Sequence, residues 1–193
     1  MAEQASTYPL RFDVEYPEKL SRWLIFVKWL LAIPHFLILY ALSAVAGIIT
    51  FIAFFAILFT KRYPRGLFDF VVNIYRWNAN VLAYYGLFRD EYPPFSWEPG
   101  KYPVTYEVDY PESLSRWLIF VKWLLVIPNL IVLLLLYTVA YVLWIIAWFA
   151  ILFTGRYSRS MFDLVVGVFR WGLRVLAYAL LLTTDRYPPF SLS

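Results

Sequence analysis

The sequence predicts an all-α membrane protein built by tandem duplication. Three observations carry that reading. Of 193 residues, 62% are hydrophobic and only 16% are charged, against roughly 25% charged in an ordinary globular domain. Residues 29–60 and 123–155 contain no charge at all. A long motif also returns almost verbatim further along the chain. Such apolar content excludes a disordered chain, and so few charges could not cover the surface of a soluble domain this size. With no cysteine and one histidine, disulfides, thiolate metal sites and a multi-histidine centre within one chain are excluded. No metal or cofactor is expected.

The repeat sets the organisation. Tyr16 to Pro34 recurs as Tyr110 to Pro128, 94 residues later, differing only at Ser113 and Val126. The same offset relates Phe55–Thr60 to Phe149–Thr154, Phe68-Asp69 to Phe162-Asp163, and Arg76-Trp77 to Arg170-Trp171. Tyr92-Pro93-Pro94-Phe95-Ser96 returns as Tyr187 to Ser191 at an offset of 95. Two repeats, 8–101 and 102–193, follow. Met1 to Thr7 have neither a basic n-region nor an adjoining apolar run, so no secretory signal peptide is expected there. The internal apolar segments then serve as the membrane-targeting signals.

Each repeat opens on an alternating stretch. Phe12, Val14 and Tyr16, and Val104, Tyr106, Val108 and Tyr110, fall on every second position, the period of a half-exposed strand. Short extended segments near 10–16 and 104–110 are expected to hold as strands only if the two copies pair with each other.

The apolar segment comes next. From Leu20 to Thr60 only Arg22 and Lys28 are charged. One straight helix over this length would reach about 60 Å, twice the hydrocarbon core, so the segment must bend or turn. In one reading it is a transmembrane helical hairpin with a turn near Ser43 to Gly47. In the other, 20–33 is an interfacial helix, Pro34 breaks it, and 35–60 is a single span. The basic flanks favour the hairpin, because Arg22 and Lys28 before the segment and Lys61, Arg62 and Arg65 after it then share one side. The second repeat weighs against it, offering only Leu136-Tyr137-Thr138-Val139 at the turn.

A third element follows. Asp69, Asn73, Arg76 and Asn80 lie on one helical face. Asp163, Gly167, Arg170 and Arg174 repeat the stripe. An amphipathic helix lying in the interface is predicted, with a third span as the alternative. Seven of the twelve prolines follow a tyrosine, which marks helix ends at the water–lipid boundary.

The candidate site residues are polar groups at these borders. Arg22, Lys28, Arg116 and Lys122 sit among Trp23, Trp29, Trp117 and Trp123, the composition of a headgroup anchor. Lys28 with Asp69, and Lys122 with Asp163, are candidate intramembrane pairs. Asp69 and Arg76, like Asp163 and Arg170, are i, i+7 partners on a solvated stripe. His35 and Asn129 each follow a proline, and a donor there could satisfy the carbonyl that proline leaves unpaired. No phosphate loop, paired carboxylates, nucleophile elbow or zinc motif is present.

Ser21-Arg22-Trp23-Leu24-Ile25-Phe26-Val27-Lys28-Trp29-Leu30-Leu31-Ala32-Ile33-Pro34-His35 resembles a bacterial family of membrane proteins, the domain-of-unknown-function 4389 family. So do Phe149 to Tyr157 and the Tyr-Pro-Pro-Phe-Ser motif. The resemblance covers nearly the whole chain in both copies. It implies a protein of the bacterial cytoplasmic membrane and no activity. The apolar segments and charge placement lead us to expect a multi-pass chain with basic flanks and termini on the cytoplasmic side. The net charge of +4 suits anionic lipid headgroups better than nucleic acid. The leading expectation is a non-enzymatic structural or accessory subunit whose partners are lipids and a larger membrane complex. The alternative is a small transporter or lipid-handling protein with a cavity between the repeats.

Overall fold

The computed structural model describes residues 8–193; the leader reading of Met1–Thr7 lies outside them. The chain runs β1 (Leu10–Val14), a 3-10 turn (Leu24–Phe26), α1 (Lys28–Leu31), α2 (Ile33–Thr60) and α3 (Arg65–Tyr85). The second repeat follows as β2 (Val104–Val108), α4 (Leu118–Leu125), α5 (Ile127–Thr154) and α6 (Arg159–Ala179). The fold is mostly helical, with one small sheet.

The two strands do pair across the repeats. β1 and β2 are antiparallel, with Leu10 opposite Val108 and Phe12 opposite Tyr106. Their inner face is apolar: Leu10, Phe12, Val104 and Tyr106 are buried.

No turn forms near Ser43 to Gly47. α2 is one continuous helix of 28 residues, and α5 matches it. The bend falls instead at the proline, which stands in the first turn of each long helix, where its missing N–H has no partner to lose. The hairpin expectation fails because nothing between Leu39 and Ile57 breaks helix: no proline stands there, Thr50 bonds back to Ala46 O, and the lone Gly47 sits inside the helix with open space beside it. Of the Pro-bent reading, the helix break at the proline is the part seen.

A different hairpin exists, between α2 and α3. Leu39 packs with Trp77 and Val81, and Ala46 and Ile49 pack with Val71 and Ile74. The helices are therefore antiparallel over their whole length. The turn between them needs a left-handed residue after Thr60, and Lys61 supplies it at φ 62°. Gly155 fills the same place at φ 70°. This explains a difference between the repeats that the sequence leaves bare, since only the backbone conformation is shared.

The repeats are interlocked through their arms. Tyr16 Oη donates to Tyr157 O, and Tyr110 Oη to Tyr63 O. Leu20 N donates to Gly155 O, and Leu114 N to Lys61 O. Each strand thus lies along the amphipathic helix of the other repeat, β2 on α3 and β1 on α6. Three layers result: α2 and α5 outermost on one side, α3 and α6 in the middle, and the ribbon on the other side.

Candidate functional site

Each repeat builds a polar niche at the proline bend. In the first, the chain leaves α3 through Leu87, held left-handed at φ 66° and closed by Phe88 N on Ala83 O. This reversal carries Arg89 and Asp90 back over α1. Lys28, only 2% exposed, donates to Arg89 O at 2.6 Å and pairs with Asp90 at 2.8 Å. Its ammonium also lies 5.1 Å from the centre of the Tyr84 ring. Burial lowers the Lys28 pKa, and the hydrogen bond it donates to Asp90 pulls it back up. Asp90 in turn accepts from Ser21 N. The second repeat copies the niche: Lys122 donates to Thr184 O at 2.7 Å and pairs with Asp185 at 2.8 Å.

These partners correct the expected pairs. Lys28 does not meet Asp69, nor Lys122 Asp163. The two aspartates bind one turn back on their own helix, to Arg65 and Arg159, both at 3.1 Å. Those arginines stack over Tyr110 and Tyr16 of the opposite repeat. The cause is geometric. Asp69 and Asp163 lie in the first turns of α3 and α6, at the far end of the antiparallel hairpin from the lysines. A sequence signal for Asp90 and Asp185 does exist: both stand two residues before Tyr-Pro-Pro, at the offset of 95 that the motif keeps.

Tyr-Pro-Pro-Phe closes the bend. Tyr92 Oη donates to Leu31 O, and Tyr187 Oη to Leu125 O, both at 3.1 Å. Tyrosine thus meets the carbonyl three residues before the proline, whereas the one four residues before it, Leu30 O or Leu124 O, receives no side-chain bond from His35 or Asn129. His35 and Asn129 instead accept the indole N–H of α3 and α6. Trp77 Nε1 donates to His35 Nδ1 at 3.1 Å, and Trp171 Nε1 to Asn129 Oδ1 at 2.8 Å. Asn129 Nδ2 goes on to Tyr187 Oη at 2.6 Å. His35 Nε2 is buried without a partner, and the ring stacks on Phe95 at 4.0 Å.

Asp69 and Asp163 are about half exposed, but beyond them the stripe of α3 and α6 is covered. Arg76 donates to Tyr106 O and Trp97 O. Arg170 donates to Phe12 O, Leu192 O and Asp13. Their guanidiniums hold the extended segments down on the helices. No bond joins Arg76 to Asp69, because the arms of the opposite repeat occupy the stripe. Arg22 and Arg116 are exposed. Arg116 donates to Phe59 O at the end of α2, and Arg22 lies against the equivalent turn at Gly155. Lys28, Asp69 and Arg76 therefore sit in separate environments and line no common space.

Two polar hollows open on the surface, one of about 340 Å³ beside Asp13, Arg76 and Glu107 and one of about 440 Å³ beside Lys61, Arg116 and Asp185; two other spaces are apolar. A groove of about 600 Å³ runs between α5 and α6, walled by Leu130, Leu134, Val175, Leu176 and Leu180. A second of about 280 Å³ lies between the repeats, against Tyr85, Tyr141, Trp144 and Phe169. Two helical stretches, Ile33–Thr60 and Leu118–Thr154, are long and apolar enough to cross a membrane.

No curated protein and no solved structure matches the chain. Residues 22–96 and 116–191 each match the sequence profile of a domain of unknown function, DUF4389. Both matched stretches take in a niche lysine, the proline bend, the amphipathic helix and Tyr-Pro-Pro-Phe. With two copies covering most of its length, the chain belongs to the DUF4389 family.

Proposed function

We propose that this is a non-enzymatic integral membrane protein with a structural or accessory role, organising lipid or packing within a larger membrane assembly. One observation carries the reading. Only 22% of the apolar window of the first candidate span, and 17% of the second, is buried inside the protein. The core helix of a soluble domain would be mostly covered. Here Leu37, Tyr40, Ile48, Phe51, Leu134 and Phe153 stand open, far beyond the few hundred Å² of apolar patch that a soluble monomer shows. Lipid acyl chains are the partner such a surface fits. Buried charge is spent on internal bonds, as in the Lys28–Asp90 pair, which suits a scaffold.

The test is gentle solubilisation of the native membrane followed by native mass measurement. Co-purification of a stoichiometric assembly or of a fixed number of lipids supports the role. A lone, lipid-free, monodisperse chain counts against it. Flux of a small polar solute through proteoliposomes, lost on replacing Lys28 or Arg76, would replace this reading with transport.

A further inference from the structure

The hydropathy of α2 and α5 invites an upright, spanning arrangement. The layering of the molecule opposes it. In the ribbon, Phe12 faces Tyr106, and these residues are equivalent in the two repeats, 94 apart. The pseudo-two-fold axis therefore passes between them, normal to the ribbon. It places α2 and α5 at one common depth beneath the ribbon, with α3 and α6 at another.

The layers are also in register along the helices. The middle of α2, at Ala46 and Ile49, packs on the middle of α3, at Val71 and Ile74. Arg76, in the same part of α3, donates to Tyr106 O at the centre of the ribbon. The strand runs alongside the helix from one end to the other. Tyr110 meets Tyr63 and Phe68, whereas Tyr102 meets Glu91 beyond the far end. The ribbon is thus beside the helical hairpin and not at its tip.

The outer face of the ribbon is charged. Arg11 pairs there with Glu107 and Asp109, all three about half exposed. Asp13, 69% exposed, pairs with Arg170. Two strands leave two open edges, and backbone groups on an open edge need water. With α2 upright and centred in a bilayer, this charged ribbon would sit at the bilayer midplane. One Arg at that depth alone costs about 2.5–3.5 kcal/mol on insertion scales.

Resting on the membrane reading above, we infer that α2 and α5 lie in the plane of one leaflet, and that the chain is monotopic. The occupant of its apolar face is the acyl layer of a single leaflet. Helices pack about 8–10 Å apart, and a further layer of similar thickness separates α3 from the ribbon. The ribbon then stands roughly 20 Å above the α2 axis. With α2 about 5–10 Å below the headgroup boundary, the ribbon is in water. α3 and α6 lie at headgroup level, their polar stripe turned up to the ribbon. The 3-10 turn, α1 and α4 join the submerged layer, because Trp23, Trp29, Trp117 and Trp123 are exposed while Lys28 and Lys122 point inward. The exposed basic side chains at the α2–α3 and α5–α6 turns, Arg62, Arg65, Arg156 and Arg159, meet phosphates at the border.

The chain has no cysteine, so single-cysteine variants of the full protein test this directly. Arg62→Cys marks the C-terminal end of α2. Glu91→Cys marks its N-terminal end, where the neighbouring Tyr92 bonds Leu31 O. In sealed cells and in inverted vesicles, an impermeant maleimide should label both variants in one preparation and neither in the other. Nitroxides at Leu37, Ile48 and Phe59, in vesicles of phosphatidylethanolamine and phosphatidylglycerol, should report one common depth. Labelling from opposite faces, or a depth profile deepest at Ile48, would overturn the in-plane arrangement and leave the membrane role standing. Release of the whole chain by alkaline carbonate would overturn both readings.

Discussion

Replacing Asp90 with asparagine should be far more damaging than replacing Lys28 with methionine, although both break the same ion pair. The Lys28 ammonium is almost fully buried; asparagine can still accept its hydrogen bond beside Arg89 O, but it brings no negative charge to balance the ammonium. An uncompensated buried charge costs about 3–5 kcal/mol. Lys28→Met removes that charge and keeps the buried stem. It leaves Asp90 with its Ser21 N–H bond and a side chain 25% exposed, only Oδ1 staying buried, so roughly 1–3 kcal/mol is expected. At about 2–4 °C per kcal/mol for a chain this size, Asp90→Asn should lower Tm by roughly 10 °C and Lys28→Met by a few degrees. Thermal unfolding in a mild detergent, followed by tryptophan emission, measures both. The double variant should recover most of the loss, since no buried charge remains. Equal losses for the two single variants, or a double variant as unstable as Asp90→Asn, would refute the reasoning.

Three further outcomes are expected. His35→Asn should hold Tm within a few degrees: asparagine accepts from Trp77 and reaches Tyr92 Oη as Asn129 reaches Tyr187, while the stack on Phe95 is lost at about 0.5–1.5 kcal/mol. His35→Leu, which leaves the indole N–H of Trp77 unmet, should cost about 1–3 kcal/mol by the same assay. Lys61→Gly should leave stability unchanged or raise it by up to about 1 kcal/mol, because it relieves a left-handed non-glycine residue; Gly155→Lys should do the reverse. Burial pushes the Tyr63 phenol up to about 12. The unfolded chain then loses its proton first, so this contribution is intact below about pH 10 and fades by about 2–3 kcal/mol as pH rises toward 12. Alkaline unfolding curves that are identical for the parent chain and Tyr63→Phe would refute that assignment.

Much of the architecture is legible in residue spacing. The period-2 stretches, the helical stripe beginning at Asp69 and the repeat offset each specify a local conformation, and all three appear. The position of the bend follows Pro34 and Pro128. The hairpin expectation weighted the placement of basic residues, which reflects how a chain faces a membrane, above the lack of a helix breaker, which governs whether it turns. Partner choice was hidden for another reason. Lys28 and Asp69 are a reasonable pair by charge, but antiparallel packing of α2 on α3 separates their ends, and only the left-handed exit at Leu87 delivers Asp90. The arm exchange has no local signature at all. Tyr16 and Tyr157 are far apart in sequence, and neither position is unusual by composition.

That exchange orders the birth of the molecule. Strand β1 is made well before the helix it lies on, α6. The first arm therefore has no resting place until α6 has left the ribosome. The first helical hairpin, for its part, stays uncapped until β2 arrives. A lone repeat would carry an arm with no helix to cover and a helix with no arm to receive. Two separate copies could satisfy each other only by trading arms, giving a two-fold dimer with the outline of the present chain. Joining them in one polypeptide turns that bimolecular encounter into an intramolecular one, at the millimolar effective concentration typical of a short link.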